Sequence, residues 1–96
     1  MGLRFQWDPA KADRNSGKHQ LTFDEAATVF ADPLAVIFDD EGHSSTELRE
    51  IIVGHSVLGR LVVVSFVQGT PSAIRIISAR MATRTERREY EENRSE

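Results

Sequence analysis

The chain has 96 residues, which is enough for one domain and too few for two separate hydrophobic cores. Hydrophobic residues make up 40% and charged residues 28%, as in ordinary globular proteins and unlike disordered chains. No apolar run approaches the roughly 20 residues of a transmembrane helix, and no signal peptide is evident near the start. We therefore expect a cytoplasmic protein without membrane contact.

The lack of cysteine excludes a disulfide framework, a thiolate nucleophile and a zinc site built on sulfur. The net charge of −3 argues against a general nucleic-acid coat protein, which would be basic. Any catalysis must therefore use histidine, carboxylate, lysine, arginine or hydroxyl groups.

The N-terminal third predicts one strand and two helices. Apolar and polar residues alternate over Leu3–Trp7, which indicates a half-buried strand. Asp8 is a favoured N-cap and a proline follows at the first helical position, so we expect a helix over about Pro9–Lys18. Thr22 and the glutamate three residues later have capping-box spacing, and apolar residues at i, i+3, i+4 and i+7 predict an amphipathic helix over about 23–31.

Four further strands and one helix are predicted in the rest of the chain. The strands are Leu34–Phe38, Glu47–Gly54, Leu61–Val67 and Ala73–Ala79. The short gaps between the last three imply antiparallel hairpins. A second capping-box pair, Thr83 and Glu86, begins a charged helix over about 83–92, followed by a flexible tail at 93–96. The order β-α-α-β-β-β-β-α predicts a single α+β domain over residues 1–92, with a mostly antiparallel sheet.

Arginines in the predicted strands are candidate phosphate ligands, because an unpaired buried guanidinium is costly. They are Arg49, Arg60, Arg75 and Arg80, with the hydroxyl of Ser78 nearby. Salt bridges to Glu47, Glu50 or Asp39 are the structural alternative. Strict alternation places Arg75 on the opposite face from Ser78 and Arg80, so a bulge or twist is required to unite them as a phosphate clamp.

Histidine is the natural general acid or base near neutral pH. His19 is the first candidate because it follows a polar stripe, Lys11, Asn15 and Lys18, on the first predicted helix. The alternative is that a charged histidine there only complements the helix dipole. We expect His43 to be solvated in a polar loop and His55 to be structural, and the spacing of the three predicts no metal site.

Two aromatic residues are candidates for stacking on a base, Trp7 and Tyr90. A lone tryptophan is more often a core residue. The charged last helix has so little apolar surface that a protein partner is a second possible explanation for it.

In combination, six blocks of residues resemble the BrnT family over about residues 3–91. The N-terminal blocks are Trp7-Asp8-xx-Lys11-xxx-Asn15-xx-Lys18-His19, Phe23-Asp24-Glu25-Ala26 and Phe30-x-Asp32-Pro33. The C-terminal blocks are Arg49-xxxx-Gly54, Gly59-Arg60-x-Val62-Val63-Val64 and Arg75-Ile76-Ile77-Ser78-Ala79-Arg80-x-Ala82-Thr83-xx-Glu86-Arg87-xx-Tyr90. One departure is Gln20, where the family usually has glycine, the better left-handed helix cap.

The resemblance implies a RelE-like fold and a ribonuclease toxin of a type II toxin–antitoxin module, acting on cellular RNA. It also implies neutralisation by a small BrnA antitoxin that binds DNA, and we expect no metal or other cofactor. On this hypothesis the RNA 2′-hydroxyl attacks the adjacent phosphorus in a metal-independent transesterification.

The same hypothesis assigns roles to the candidate residues. We expect His19 to act as acid or base beside Lys18, with Glu47 or Glu50 as possible sources of the other role. Four arginines are expected to stabilise the phosphate: Arg49, Arg60, Arg75 and Arg80. Candidate substrate-binding residues are Lys11, Asn15, Ser78 and Tyr90. The alternatives are a non-catalytic binding module of the same fold and, less favoured, a small DNA-binding regulator.

Overall fold

The computed structural model describes residues 2–40, 42 and 47–94. The helices are α1 (Pro9–His19), α2 (Phe23–Thr28) and α3 (Arg84–Arg94), and a 3-10 turn over Val29–Ala31 follows α2. The strands are β1 (Arg4–Gln6), β2 (Val36–Asp39), β3 (Arg49–His55), β4 (Leu61–Thr70) and β5 (Ala73–Met81). They form one sheet in the order β1-β5-β4-β3-β2, in which only β1 and β5 are parallel. The α+β class and the predicted order of elements are confirmed.

The helices begin where the capping residues indicate. The Asp8 carboxylate accepts a hydrogen bond from the Ala10 N–H at 2.9 Å, and the Thr22 hydroxyl accepts from the Glu25 N–H at 3.0 Å. At α3 the capping box is reciprocal, since Glu86 N–H donates to the Thr83 hydroxyl and Thr83 N–H donates to the Glu86 carboxylate. At α2 it is not, because the Glu25 side chain binds Ser56 and Arg60 instead.

Several element boundaries differ from the prediction. The strand expected from Leu34 begins at Val36, because a turn precedes it: the Asp32 carboxylate accepts from Leu34 N–H and the Asp32 carbonyl from Ala35 N–H. Helix α3 continues to residue 94, into the segment predicted as a tail. His43 and residues 95 and 96 lie outside the described part of the chain.

The main core lies between the sheet and the helices α1 and α2. Its fully buried helical side contains Phe23, Ala26 and Val29, and the sheet contributes Ile52, Val62, Val64, Phe66, Ile74, Ile76 and Ala79. The Phe30 ring packs edge-on against Phe66, with 5.0 Å between ring centroids. Each large apolar side chain buried here contributes about 1.5–3 kcal/mol, so this layer fixes the position of α2 against the sheet.

A smaller core lies on the opposite face of the sheet. Tyr90 of α3 is 2% exposed and packs against Val53, Leu61 and Val63. The other residues of α3 are charged or polar, so this tyrosine is its main apolar anchor. Beside α3, the exposed side chains on this face include Phe38, Arg75 and Ser78.

Candidate active site

A bulge in β5 brings three candidate residues to one face of the sheet. Ser65 of β4 is opposite Ser78 and Phe66 is opposite Ile76, so Ile77 is an extra residue in β5. The extra residue reverses the alternation of side chains beyond it. Arg75 therefore shares a face with Ser78 and Arg80, although strict alternation would separate them.

The strand register extends this face across the sheet. One row of paired residues runs Phe38, Ile51, Ser65, Ser78. The row on one side contains Arg49, Val67 and Arg75, and the row on the other contains Val53, Val63 and Arg80. Paired residues on neighbouring antiparallel strands point to the same side. We call these residues the open sheet face, since α3 covers only the Val53 and Val63 end of it.

Two of the arginines on the open sheet face are paired with carboxylates. Arg75 forms a salt bridge with Glu47. Arg80 donates two hydrogen bonds to Glu86, at 2.8 and 2.7 Å. These bonds outweigh partial burial and, with the Thr83 N–H, lower the pKa of Glu86 to about 2. Glu50, the other candidate acid or base, is opposite Phe66 and so lies on the helix-covered face.

Arg60 lies apart from the other three arginines. Its guanidinium binds both oxygens of Glu25 and donates to the Gln20 carbonyl at 3.3 Å. Glu25 is 7% exposed and also accepts from the Ser56 hydroxyl at 2.7 Å. The hydrogen bond from Arg60 lowers the pKa of Glu25 despite the burial that opposes it. Arg60 thus holds the turn that follows His19.

A cleft of about 310 Å³ separates α1 from the end of β5. We call it the α1 cleft, and its lining residues are Lys11, Arg14, Asn15, Lys18, His19, Ile77 and Ser78. No carboxylate is among these lining residues. Across the described ranges, Lys11, Arg14 and Lys18 form no salt bridge. The cleft is therefore a concentrated patch of unneutralised positive charge beside a histidine.

Asn15 holds the two walls of the α1 cleft together. It is 8% exposed; its amide nitrogen donates to the Leu21 carbonyl at 3.0 Å, and its oxygen accepts from the Ala79 N–H at 3.1 Å. Satisfying a buried amide at both ends fixes its position. Asn15 was predicted to bind substrate, and the structure shows it fastening α1 to β5.

The α1 cleft and the open sheet face meet at Ser78. Strand β1 pairs only with residues 73–75, so the second half of β5 has no neighbouring strand on that side among the described residues. Ser78 is exposed at this edge, lines the cleft and belongs to the open sheet face. The predicted site residues Lys11, Lys18, His19 and Ser78 are thus brought together, with Arg75 and Arg80 around the edge.

Tyr90 is buried between α3 and the sheet. Its hydroxyl donates to Asp32 at 3.0 Å and lies 3.3 Å from the Nδ1 atom of His55, whose ring packs edge-on against it. Burial raises the pKa of Asp32, but hydrogen bonds from His55 N–H, Leu34 N–H and the tyrosine outweigh it and lower the pKa. At 2% exposure, the Tyr90 ring has no surface on which an RNA base can stack.

One cleft residue was missed by the sequence analysis. Arg14 follows Lys11 by three residues and precedes Lys18 by four, so the helical period places all three on one side of α1. This spacing is visible in the sequence and is sufficient to predict that Arg14 lies beside Lys11 and Lys18. Trp7, a stacking candidate, packs edge-on against Phe23 and belongs to the core.

Two further features bear on chemistry and location. No three histidine, aspartate or glutamate side chains are close enough to hold a metal ion, among the residues with described positions. No helix in the described ranges is long and apolar enough to cross a membrane.

The family model for BrnT, the ribonuclease toxin of type II toxin-antitoxin systems, matches residues 7–86. The crystal structure of the Brucella abortus ribonuclease toxin BrnT aligns with a TM-score of 0.65 at 23% identity, over 85% of this chain and 99% of that one. That likeness establishes the fold, and no curated sequence matches. Because the family model spans most of the chain, this protein belongs to the BrnT family of ribonuclease toxins of type II toxin-antitoxin systems.

Proposed function

We propose that this toxin cleaves RNA by metal-independent transesterification where the α1 cleft meets the open sheet face. The observation that carries the proposal is a half-buried His19 in a cleft whose charged lining residues are all basic. A phosphodiester carries negative charge, and unneutralised lysine and arginine side chains supply the attraction and orientation that it needs. Ser78, at the shared edge, marks where the scissile phosphate would lie.

The reaction needs proton transfer and charge stabilisation. A base removes the proton of the 2′-hydroxyl, whose oxygen forms a bond to the adjacent phosphorus. The bond from phosphorus to the 5′-oxygen breaks, and an acid protonates that oxygen, which leaves a 2′,3′-cyclic phosphate. His19 carries one of the two proton transfers. Lys18 and Arg14 stabilise the additional negative charge of the pentacovalent phosphate.

The arginines contribute in two ways. Arg75 and Arg80, together with Arg49, bind flanking phosphates along the open sheet face, where a phosphate exchanges with the carboxylates of Glu47 and Glu86. Arg60 is a positioning residue, since its bond to the Gln20 carbonyl holds the backbone that follows His19. Asn15 has the same indirect role through β5, and the mechanism gives Tyr90 no contact with the reacting groups.

The partner in this proposal is a BrnA-type antitoxin. The family description supports an antitoxin, because type II systems are defined by a protein that neutralises the toxin. DNA binding by the antitoxin would then carry the complex to an operator.

The test uses purified protein and a long, ribosome-free RNA in EDTA, with and without the antitoxin. Fragments that end in 2′,3′-cyclic phosphate and disappear when antitoxin is added would support the proposal. An Arg88→Ala variant is the matched control, because Arg88 is exposed on α3 and outside the cleft; it should cut like the parent.

Two results would contradict the proposal. Cleavage that stops in EDTA and returns with a divalent metal would replace the metal-independent mechanism. RNA that is bound and left intact, also when ribosomes are present, would favour a non-catalytic binding module of the same fold.

A further inference from the structure

A second concave site lies on the open sheet face, at the end away from Ser78. It has a volume of about 230 Å³ and an apolar floor formed by strands β2 and β3, namely Val36, Phe38, Ile51 and Val53. Helix α3 forms its wall with Glu86, Glu89 and Tyr90, spaced i, i+3 and i+4. We call it the Phe38 pocket. Phe38 remains 45% exposed there, although it is a large apolar side chain.

The Phe38 pocket is continuous with the proposed catalytic edge. Phe38 and Ser78 are the two ends of one row of paired residues that crosses four adjacent strands. Three inter-strand spacings amount to about 14 Å, which is beyond the reach of the nucleotide that is cut. An RNA strand held along this row would therefore place a flanking nucleotide over Phe38.

The chemistry of the Phe38 pocket suits a nucleobase. An exposed phenylalanine ring offers a stacking surface, which is how proteins commonly hold unpaired bases. The charged residues that line the pocket are both glutamates, and carboxylates only accept hydrogen bonds. They favour a base edge rich in N–H donors, and guanine presents two adjacent donors on its Watson–Crick edge.

We propose that the Phe38 pocket is a base-recognition subsite for a guanine that flanks the cleavage site. The inference rests on the RNA binding of the proposed function and adds sequence preference to it. No lysine or arginine is among the residues that line the pocket, and its two glutamates offer a phosphate no hydrogen-bond donor, so the base and not the backbone enters the pocket. Arg80 and Arg49 lie in the rows on either side of the Phe38 row, next to the path of the RNA backbone.

The test measures equilibrium binding of 2′-fluoro RNA octamers, which lack the attacking hydroxyl and cannot be cleaved. The octamers are all uridine or carry one guanosine at successive positions, and fluorescence anisotropy gives the Kd. We expect the parent to bind at least one single-guanosine octamer about tenfold more tightly than the uridine octamer. Phe38→Ala should remove that difference, since one stacked base is commonly worth about tenfold or more.

Two variants sharpen the result. Ile37→Ala is the matched control, because Ile37 is equally apolar and 53% exposed but is opposite Ile52 on the other face of β2. It should bind like the parent. Glu89→Gln keeps the shape of the pocket and adds a donor, so it should narrow the preference for guanine over uracil. Melting temperatures confirm that all variants are folded.

Three outcomes would overturn the inference. The first is equal affinity of the parent for every octamer, and the second is a preference for guanine that persists in Phe38→Ala. The third is a Phe38→Ala variant that binds RNA like the parent and loses the antitoxin, which would identify a protein-binding surface. A parent that selects guanine yet never cuts RNA would retain this subsite and remove the proposed catalysis, so the two failures are distinguishable.

Discussion

Charged side chains on the two sides of the His19–Gln20 junction are used in opposite ways. On one side, Arg60 is matched to the buried carboxylate of Glu25 and to the Gln20 carbonyl. On the other, the α1 cleft collects three cations without a single carboxylate in its lining. The first arrangement satisfies its charges and holds the fold together. The second leaves charge unneutralised, which is an electrostatic cost that an anionic ligand relieves.

The open sheet face is intermediate between these two regions. Arg75 and Arg80 are paired, but their partners Glu47 and Glu86 are partly exposed, and exposed pairs exchange partners at little cost. The role of an arginine is therefore not determined by its residue type alone. It depends on how deeply its carboxylate partner is buried and on whether that partner neutralises its charge.

We expect the greatest change from a substitution in the α1 cleft. His19→Ala should lower kcat/KM for RNA cleavage by about a hundredfold to ten-thousandfold, the usual contribution of one acid or base. The free energy of unfolding should change little, because His19 is only half-buried and makes no ion pair within the described residues. Cleavage kinetics and urea unfolding measure the two quantities separately. An unchanged rate in a folded variant would reduce His19 to a helix-dipole residue.

The second prediction concerns the buried Glu25–Arg60 pair and the free energy of unfolding. Glu25→Ala should lower the free energy of unfolding by about 3 kcal/mol, because it leaves Arg60 and the buried Ser56 hydroxyl without their partner. Asp24→Ala is the matched control, since Asp24 is the exposed neighbour in the same helix turn. Urea unfolding compares the two. Equal losses in both variants would show that the buried pair does not support the fold.

The ion pair between Glu86 and Arg80 predicts that the free energy of unfolding depends on pH. The pKa of Glu86 is lowered to about 2 in the folded protein, below its ordinary value of 4.5. Its contribution to stability is therefore fully present above about pH 4.5 and is lost as the pH falls towards 2. Because Arg80 is 41% exposed, we expect about 1–2 kcal/mol after allowance for solvent screening.

The measurement is urea unfolding of the parent and of Glu86→Gln between pH 7 and pH 3. The parent should be more stable at neutral pH, and the difference between the two proteins should become smaller as the pH falls from about 4.5 to 3. If the stability difference between the parent and Glu86→Gln does not change with pH, the Glu86–Arg80 ion pair is not the source of that difference. Glu25 and Asp32 also have lowered pKa values, so both proteins should lose some stability over the same range.

Local sequence patterns predicted the secondary structure elements, but they did not predict which charged side chains form ion pairs. The caps at Asp8, Thr22 and Thr83 determined where helices begin, because capping depends on neighbouring residues only. The need for a bulge between Arg75 and Ser78 followed from alternation alone. Its position at Ile77 did not, since a bulge is a property of two paired strands. The capture of Glu25 by Arg60, 35 residues away, likewise required the folded chain.

We expect the weakest effect on stability at Gln20, which lies between the Glu25–Arg60 pair and the α1 cleft. Gln20 ends α1 in the left-handed conformation, with φ of 55°, and its N–H donates to the Ser16 carbonyl at 2.8 Å. A residue with a Cβ atom is strained there by about 1 kcal/mol, and glycine is not, although glycine also loses more chain entropy on folding. Gln20→Gly should therefore stabilise the protein by about 0.5 kcal/mol and raise Tm by a few degrees. RNA cleavage should stay at the parent level, because the Gln20 side chain does not line the α1 cleft. A lower Tm would show that the turn between the two charged regions is held by the glutamine side chain and not by its backbone.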